Sequence, residues 1–146
     1  MIETSKPLSL ILKKVFAEQI LNGEKNIEIR SLTDSLARKV FKGAFDAEHM
    51  IAYNDIHFQV GYTGKFLDVE IVDWRIWSLG EIKAMKYPIS AIYTNDYDTE
   101  NTQNEQTVYD FLLPSAKSAS AFEGDEAFEK YVMLIKLGKV KATNMR

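Results

Sequence analysis

Lys25, Glu28 and Arg30 fall within six residues, in the run Gly23-Glu24-Lys25-Asn26-Ile27-Glu28-Ile29-Arg30. An ammonium, a carboxylate and a guanidinium so close together have three readings. As a solvated strand edge, they form an ion pair worth little. As a binding site, Lys25 and Arg30 meet phosphate or a base edge, while Glu28 fixes Arg30 or accepts from an amino group. As an enzyme site, a partly desolvated Lys25 has a lowered pKa and works with Glu28 on a small substrate. Trp77 is a fourth candidate, because it falls opposite the phase of Trp74 and Ile76 and offers a flat ring on which a base stacks. Other chemistries lack their signatures. The chain has no phosphate-binding loop of the G-x-x-x-x-G-K-[ST] type, no dinucleotide fingerprint and no nucleophile elbow. With two histidines, His49 and His57, and no cysteine, neither a metal site nor a cofactor is expected.

The elements around the cluster follow from hydrophobic spacing. Leu8 to Leu12 reads as a buried strand. Phe16/Ile20 and Ala17/Leu21 are i, i+4 pairs of a short helix, and Gly23 stands where a left-handed residue would stop it. Residues 26–30 then alternate, so Ile27 and Ile29 are expected inside, with Asn26, Glu28 and Arg30 outside. A second helix is expected around Leu36 to Phe41, capped by Thr33 or Asp34 and closed by Gly43. Ile56, Phe58, Val60 and Tyr62 form the apolar side of a strand, with His57 on its outer side. After a Thr63-Gly64 turn, a long strand carries Leu67, Val69 and Ile71 inward. The phase then slips to Val72, Trp74 and Ile76, which predicts a β-bulge. Ser78 to Glu81 has capping-box spacing for a helix to about Lys86, and 89–93 is a possible strand. Residues 131–137, extended to 141, close the fold. Short strands with a bulged hairpin and flanking helices predict an α+β fold, a small mixed β-barrel.

At 146 residues and 46 % hydrophobic content, one domain with a real core is expected. No apolar run is long enough to span a bilayer, and the N-terminal residues lack the features of a signal peptide, so a cytoplasmic protein without a membrane partner is expected. The net charge of −3 is unevenly spread. Residues 1–45 carry eight basic and five acidic side chains, and residues 130–146 carry five basic and none acidic. Residues 96–129 carry one basic and nine acidic, so an acidic insertion is expected at about 94–129. The basic ends suit an anionic partner despite the low pI.

The motif Gly23-x-Lys25-x-x-Glu28-x-Arg30, after a short strand and Phe16-x-x-x-Ile20-Leu21, resembles the signature of the ASCH domain. The resemblance extends to Asn54 through Phe58, to the long strand 66–77 and to the closing strand 131–140. It implies a PUA-like barrel, with the first and closing strands near each other at its seam, and a cleft, lined by Lys25, Glu28 and Arg30, that binds RNA or a nucleotide. One branch of that family, small acetylcytidine amidohydrolases, uses a lysine, a threonine and a glutamate. Lys25 matches the lysine, Glu28 stands where the threonine would be, and Glu81 is the candidate third acid. The resemblance therefore also carries a second expectation, hydrolysis of an acylated or otherwise modified nucleoside, with Lys25 and Glu28 catalytic.

Overall fold

Leu8, Leu10 and Leu12 are buried while Ser9 and Ile11 face out, so the first apolar run is a one-sided strand rather than one buried on both faces. The computed structural model describes residues 1–78 and 131–145. Their elements are β1 (Ile2–Glu3), β2 (Leu8–Leu12), α1 (Lys14–Leu21), β3 (Ile27–Ser31), α2 (Asp34–Val40), a 3-10 turn (Ala47–His49), β4 (Ile51–Ala52), β5 (Asp55–Val60), β6 (Lys65–Ser78) and β7 (Tyr131–Thr143). The fold is mixed α+β. One sheet has five strands in the order β2-β5-β6-β7-β3, and β1 pairs with β4 in a separate two-stranded ribbon. The expected helix over 78–86, strand over 89–93 and insertion over 94–129 lie outside the described residues, apart from Ser78, which ends β6.

The sheet is curled. β2 and β3 are its two edges, and in a flat sheet four strand spacings would hold them roughly 19 Å apart. Instead the Arg30 guanidinium of β3 donates to the backbone carbonyl of Ile11 in β2 at 2.7 Å. Bending on this scale needs irregular pairing. The β6–β7 register shifts between Asp68 and Val69, between Val69 and Ile71, and between Ile71 and Asp73. Bulges of this kind add local twist and bend a strand. The slip lies a little beyond the expected one, so Val72 is 55 % exposed instead of inward, while Trp74 and Ile76 pack on the core. The closing strand β7 runs between β6 and β3, so the seam of the half-barrel lies between β2 and β3, with β7 one strand away from it.

Leu8, Ile56, Phe58, Leu67, Val69, Met133 and Ile135 fill the hollow of the sheet with almost no exposure, joined by Ala17 and Ile20 of α1 and Leu36, Ala37 and Val40 of α2. Each such large side chain gives about 1.5–3 kcal/mol on burial. Both helices sit where the sequence puts them. α1 ends in a left-handed cap: Gly23, at φ 77°, donates to Ile20 O at 3.2 Å and Glu24 donates to Gln19 O at 2.9 Å, the paired bonds of a Schellman stop. α2 begins at Thr33, whose hydroxyl accepts from Leu36 N at 3.2 Å. It ends at Phe41, which turns extended and bridges Met50, and not at Gly43. Tyr62, expected inward, lies beyond the end of β5 in the turn to β6 and is 96 % exposed.

Candidate functional site

The alternation of β3 is the reverse of the expected one. In antiparallel pairs, residues directly opposite share a face. Glu28 stands opposite Ile135 and Arg30 opposite Met133, both members of the main core. Ile27 and Ile29 stand opposite Lys136 and Leu134, on the other face. Ile27, Val132 and Leu134 are fully buried there too, so this part of the sheet is covered on both sides. Apolar alternation cannot reveal which face is inside when both are dry.

The charged motif therefore points into the hollow of the half-barrel. Glu28 is 4 % exposed, the one buried charged residue among those described. Its Oε1 lies 3.7 Å from Lys25 Nζ and 3.4 Å from Arg30 Nε. Its Oε2 is buried and has no hydrogen-bond partner among the described residues. A desolvated carboxylate oxygen left unpaired costs on the order of 1–3 kcal/mol or more. Few native polar groups stand in that condition, and strain, a catalytic role, or a bound water or ion are the usual reasons.

Each cation is held by its own element. Lys25 follows the Gly23 stop, and its backbone N–H donates to Gln19 O at 3.1 Å. Its ammonium sits 4.6 Å from the centre of the Phe16 ring on α1, a cation–π contact. Only 12 % of the side chain is exposed. Burial lowers its pKa from the ordinary 10.5; Glu28 opposes that shift and Arg30 adds to it. Arg30 is stretched between Glu28 and the Ile11 carbonyl, and so ties β3 to β2 across the seam. Lys39 of α2 makes a parallel tie, donating to Ser9 O at 3.0 Å. The alternation that turns Leu8, Leu10 and Leu12 inward also leaves the Ser9 and Ile11 carbonyls on the unpaired side of β2.

Lys25, Glu28 and Arg30 thus converge, and Trp77 does not join them. Trp77 stands opposite Val132, on the outer face, half-buried, with the Arg75 guanidinium 5.8 Å from its ring. The aromatic that shares a row with the motif is Trp74. It pairs with Ile135, which pairs with Glu28, so ring and carboxylate face the same hollow two strand spacings apart, about 10 Å. The parity slip after Ile71 was the signal for Trp74. Lys39 carried no signal, because only the seam gives it a role. Glu81 lies outside the described residues.

His57 faces outward as expected, with Nδ1 2.5 Å from Asp68 Oδ1 and its ring stacked on Phe66 at 5.5 Å. Among the described residues there is no group of three or more metal-ligating side chains, and no helix is long and apolar enough to cross a membrane.

No family model matches the chain, and no curated protein matches it. Among solved structures it is similar to a small protein from Pyrococcus furiosus, determined by NMR in solution. The two share 17 % sequence identity over 94 % of this chain and 100 % of that one, with a TM-score of 0.44.

Proposed function

We propose that this chain is an RNA- or nucleotide-binding protein of the ASCH type, with a PUA-like barrel, and that Lys25, Glu28 and Arg30 form its ligand site. One observation carries the reading: the buried, unpartnered Oε2 of Glu28. A carboxylate oxygen can only accept, so its missing partner is a donor. The exocyclic amines and ring N–H groups of nucleobases are donors of that kind. Lys25 and Arg30 hold Oε1 and aim the carboxylate. Trp74, on the same inner face, offers a surface for a ring, and a stacked base is worth about 1–3 kcal/mol.

The test is a titration of nucleosides and labelled single-stranded RNA at several salt concentrations. The account expects binding at low salt, a linear fall of log affinity with log salt for RNA, and a loss of about 1–3 kcal/mol in Arg30→Ala, with thermal unfolding as the fold control. Absence of binding at low salt, or affinity indifferent to Arg30→Ala, would overturn it.

Lys25 favours a second reading. Its lowered pKa beside an acceptor carboxylate suits a general base acting on an acylated nucleoside, with Glu28 moving the proton. Glu28 occupies the place of the family's threonine, so the hydroxyl that those amidohydrolases use has no counterpart at this position. Release of acid from a broad panel of acylated nucleosides, abolished in Lys25→Ala, would establish hydrolysis; a stable complex without turnover would leave binding.

A further inference from the structure

The seam between β2 and β3 is an open cleft of about 390 Å³. Arg30 and Lys39 line it together with Ser31, Thr33 and Ser35, and no acidic side chain is among the described residues that line it. It shares with the charged motif the Arg30 side chain that holds Glu28.

We propose that this cleft is a phosphate subsite, which takes the phosphate of the nucleotide or RNA whose base reaches Glu28; the assignment rests on the nucleotide reading above. The geometry comes from β2. Arg30 Nη2 lies 2.7 Å from Ile11 O and Lys39 Nζ lies 3.0 Å from Ser9 O. Residues two apart on a strand are about 6.7 Å apart, so the two cationic heads stand roughly that far from one another. A phosphorus placed midway lies about 3.4 Å from either nitrogen, close enough for the phosphate oxygens to accept from both.

Donors remain to meet it. A guanidinium has five N–H groups, and Arg30 directs its contacts through Nη2 to Ile11 and Nε to Glu28. An ammonium has three, and Lys39 directs one to Ser9. The Thr33 hydroxyl accepts from Leu36 N and keeps its own proton to donate. The Ser31 and Ser35 hydroxyls add two further donors at the cleft wall. Lys25, Arg30 and Lys39 together outweigh the one carboxylate of Glu28, so the cluster keeps net positive charge for an anion. The arrangement also sets polarity: the base end of the ligand points to Glu28 in the hollow and the phosphate end to the outer mouth.

The experiment follows backbone amides by NMR while four nucleosides, their 5′-monophosphates and inorganic phosphate are titrated separately at low salt. The proposal expects each monophosphate to bind at least tenfold tighter than its nucleoside. Inorganic phosphate should shift Ser31, Thr33, Ser35 and Lys39. Lys39→Ala should shrink the monophosphate advantage below threefold, and Lys39→Arg should keep it. Equal affinity for nucleoside and monophosphate, or an advantage untouched by Lys39→Ala, overturns the subsite. If no nucleoside binds but inorganic phosphate shifts these amides in a Lys39-dependent way, the cleft stands as an anion site and the nucleobase reading falls. Shifts elsewhere on the surface, with none in the cleft, refute the subsite alone.

Discussion

Replacing Glu28 by Met tests whether the inward carboxylate is held by its cations, and the structure gives the size of the effect. The contacts of 3.7 and 3.4 Å are each worth about 4–5 kcal/mol of gross attraction at an effective dielectric of about 20. Desolvation of the ions, several kcal/mol each, cancels most of that. Removing the anion alone leaves Lys25, 12 % exposed, and Arg30, 28 % exposed, facing each other without it. Orphaning a buried partner in this way costs about 3–5 kcal/mol. Relief of the unpaired Oε2 returns part, so Glu28→Met should cost about 3 kcal/mol. That corresponds to a Tm drop of roughly 6–12 °C for a chain of this size. Adding Lys25→Met removes one orphaned cation and lets an apolar pair fill the space, so the double variant should recover at least about 1 kcal/mol over Glu28→Met. The assay is urea denaturation of wild type, both single variants and the double, with equal m-values as the check that the same surface unfolds. A cost below about 1 kcal/mol for Glu28→Met, or a double variant no more stable than that single one, would show that the three side chains do not act as a buried unit.

Three further outcomes follow from particular positions. Gly23→Ala should cost about 1–2 kcal/mol although its Cβ meets nothing within 4 Å, because φ is 77°; unchanged thermal stability would remove the helix-stop argument. Gly138→Ala should destabilise β7 by less than about 1 kcal/mol, because the Glu70 carboxylate that the new Cβ meets can swing aside and only the Val72 methyl at 3.0 Å must give; a larger loss in urea would show that Glu70 is held in place. Burial holds the Lys25 pKa below 10.5, so between the folded and unfolded values the unfolded chain binds more protons and this group's contribution to stability rises with pH. Wild type minus Lys25→Met should therefore grow from neutral pH toward 10.5 in urea midpoints, and a flat or falling difference would contradict the buried ammonium.

The residues differ in how openly they announced their places. Gly23 was legible because a helix stop needs a left-handed residue, and Thr33 because orphan amides need a short polar cap; both are local demands. The phase slip after Ile71 was legible as a break in parity, and it correctly turned Trp74 and Ile76 inward. Glu28 was misread because alternation fixes only which residues share a face. Opposite Ile27 and Ile29, a carboxylate looks solvent-facing, yet the pairing partners Ile135 and Met133 belong to the core. Trp77 was misplaced for a related reason: in a strand covered on both faces, lying opposite an inward residue does not mean exposure. Lys39 and the seam were not legible at all. They depend on β2 and β3 meeting across the gap of a curled sheet, a contact between distant segments that no local spacing encodes. The position of β7 between β6 and β3 was hidden likewise.

The central claim is that Glu28 Oε2 awaits a donor from a nucleobase. Its most direct measurement is the carboxyl carbon resonance of Glu28 in protein labelled at the glutamate side chains, assigned through Glu28→Gln and followed while nucleosides are added. The account predicts a saturable shift of that one resonance, in step with the shifts of the Trp74 indole, and an affinity at least tenfold weaker in Glu28→Gln. Nucleosides that bind without moving the Glu28 resonance, or a whole panel that leaves the spectrum unchanged at millimolar concentration, would contradict it.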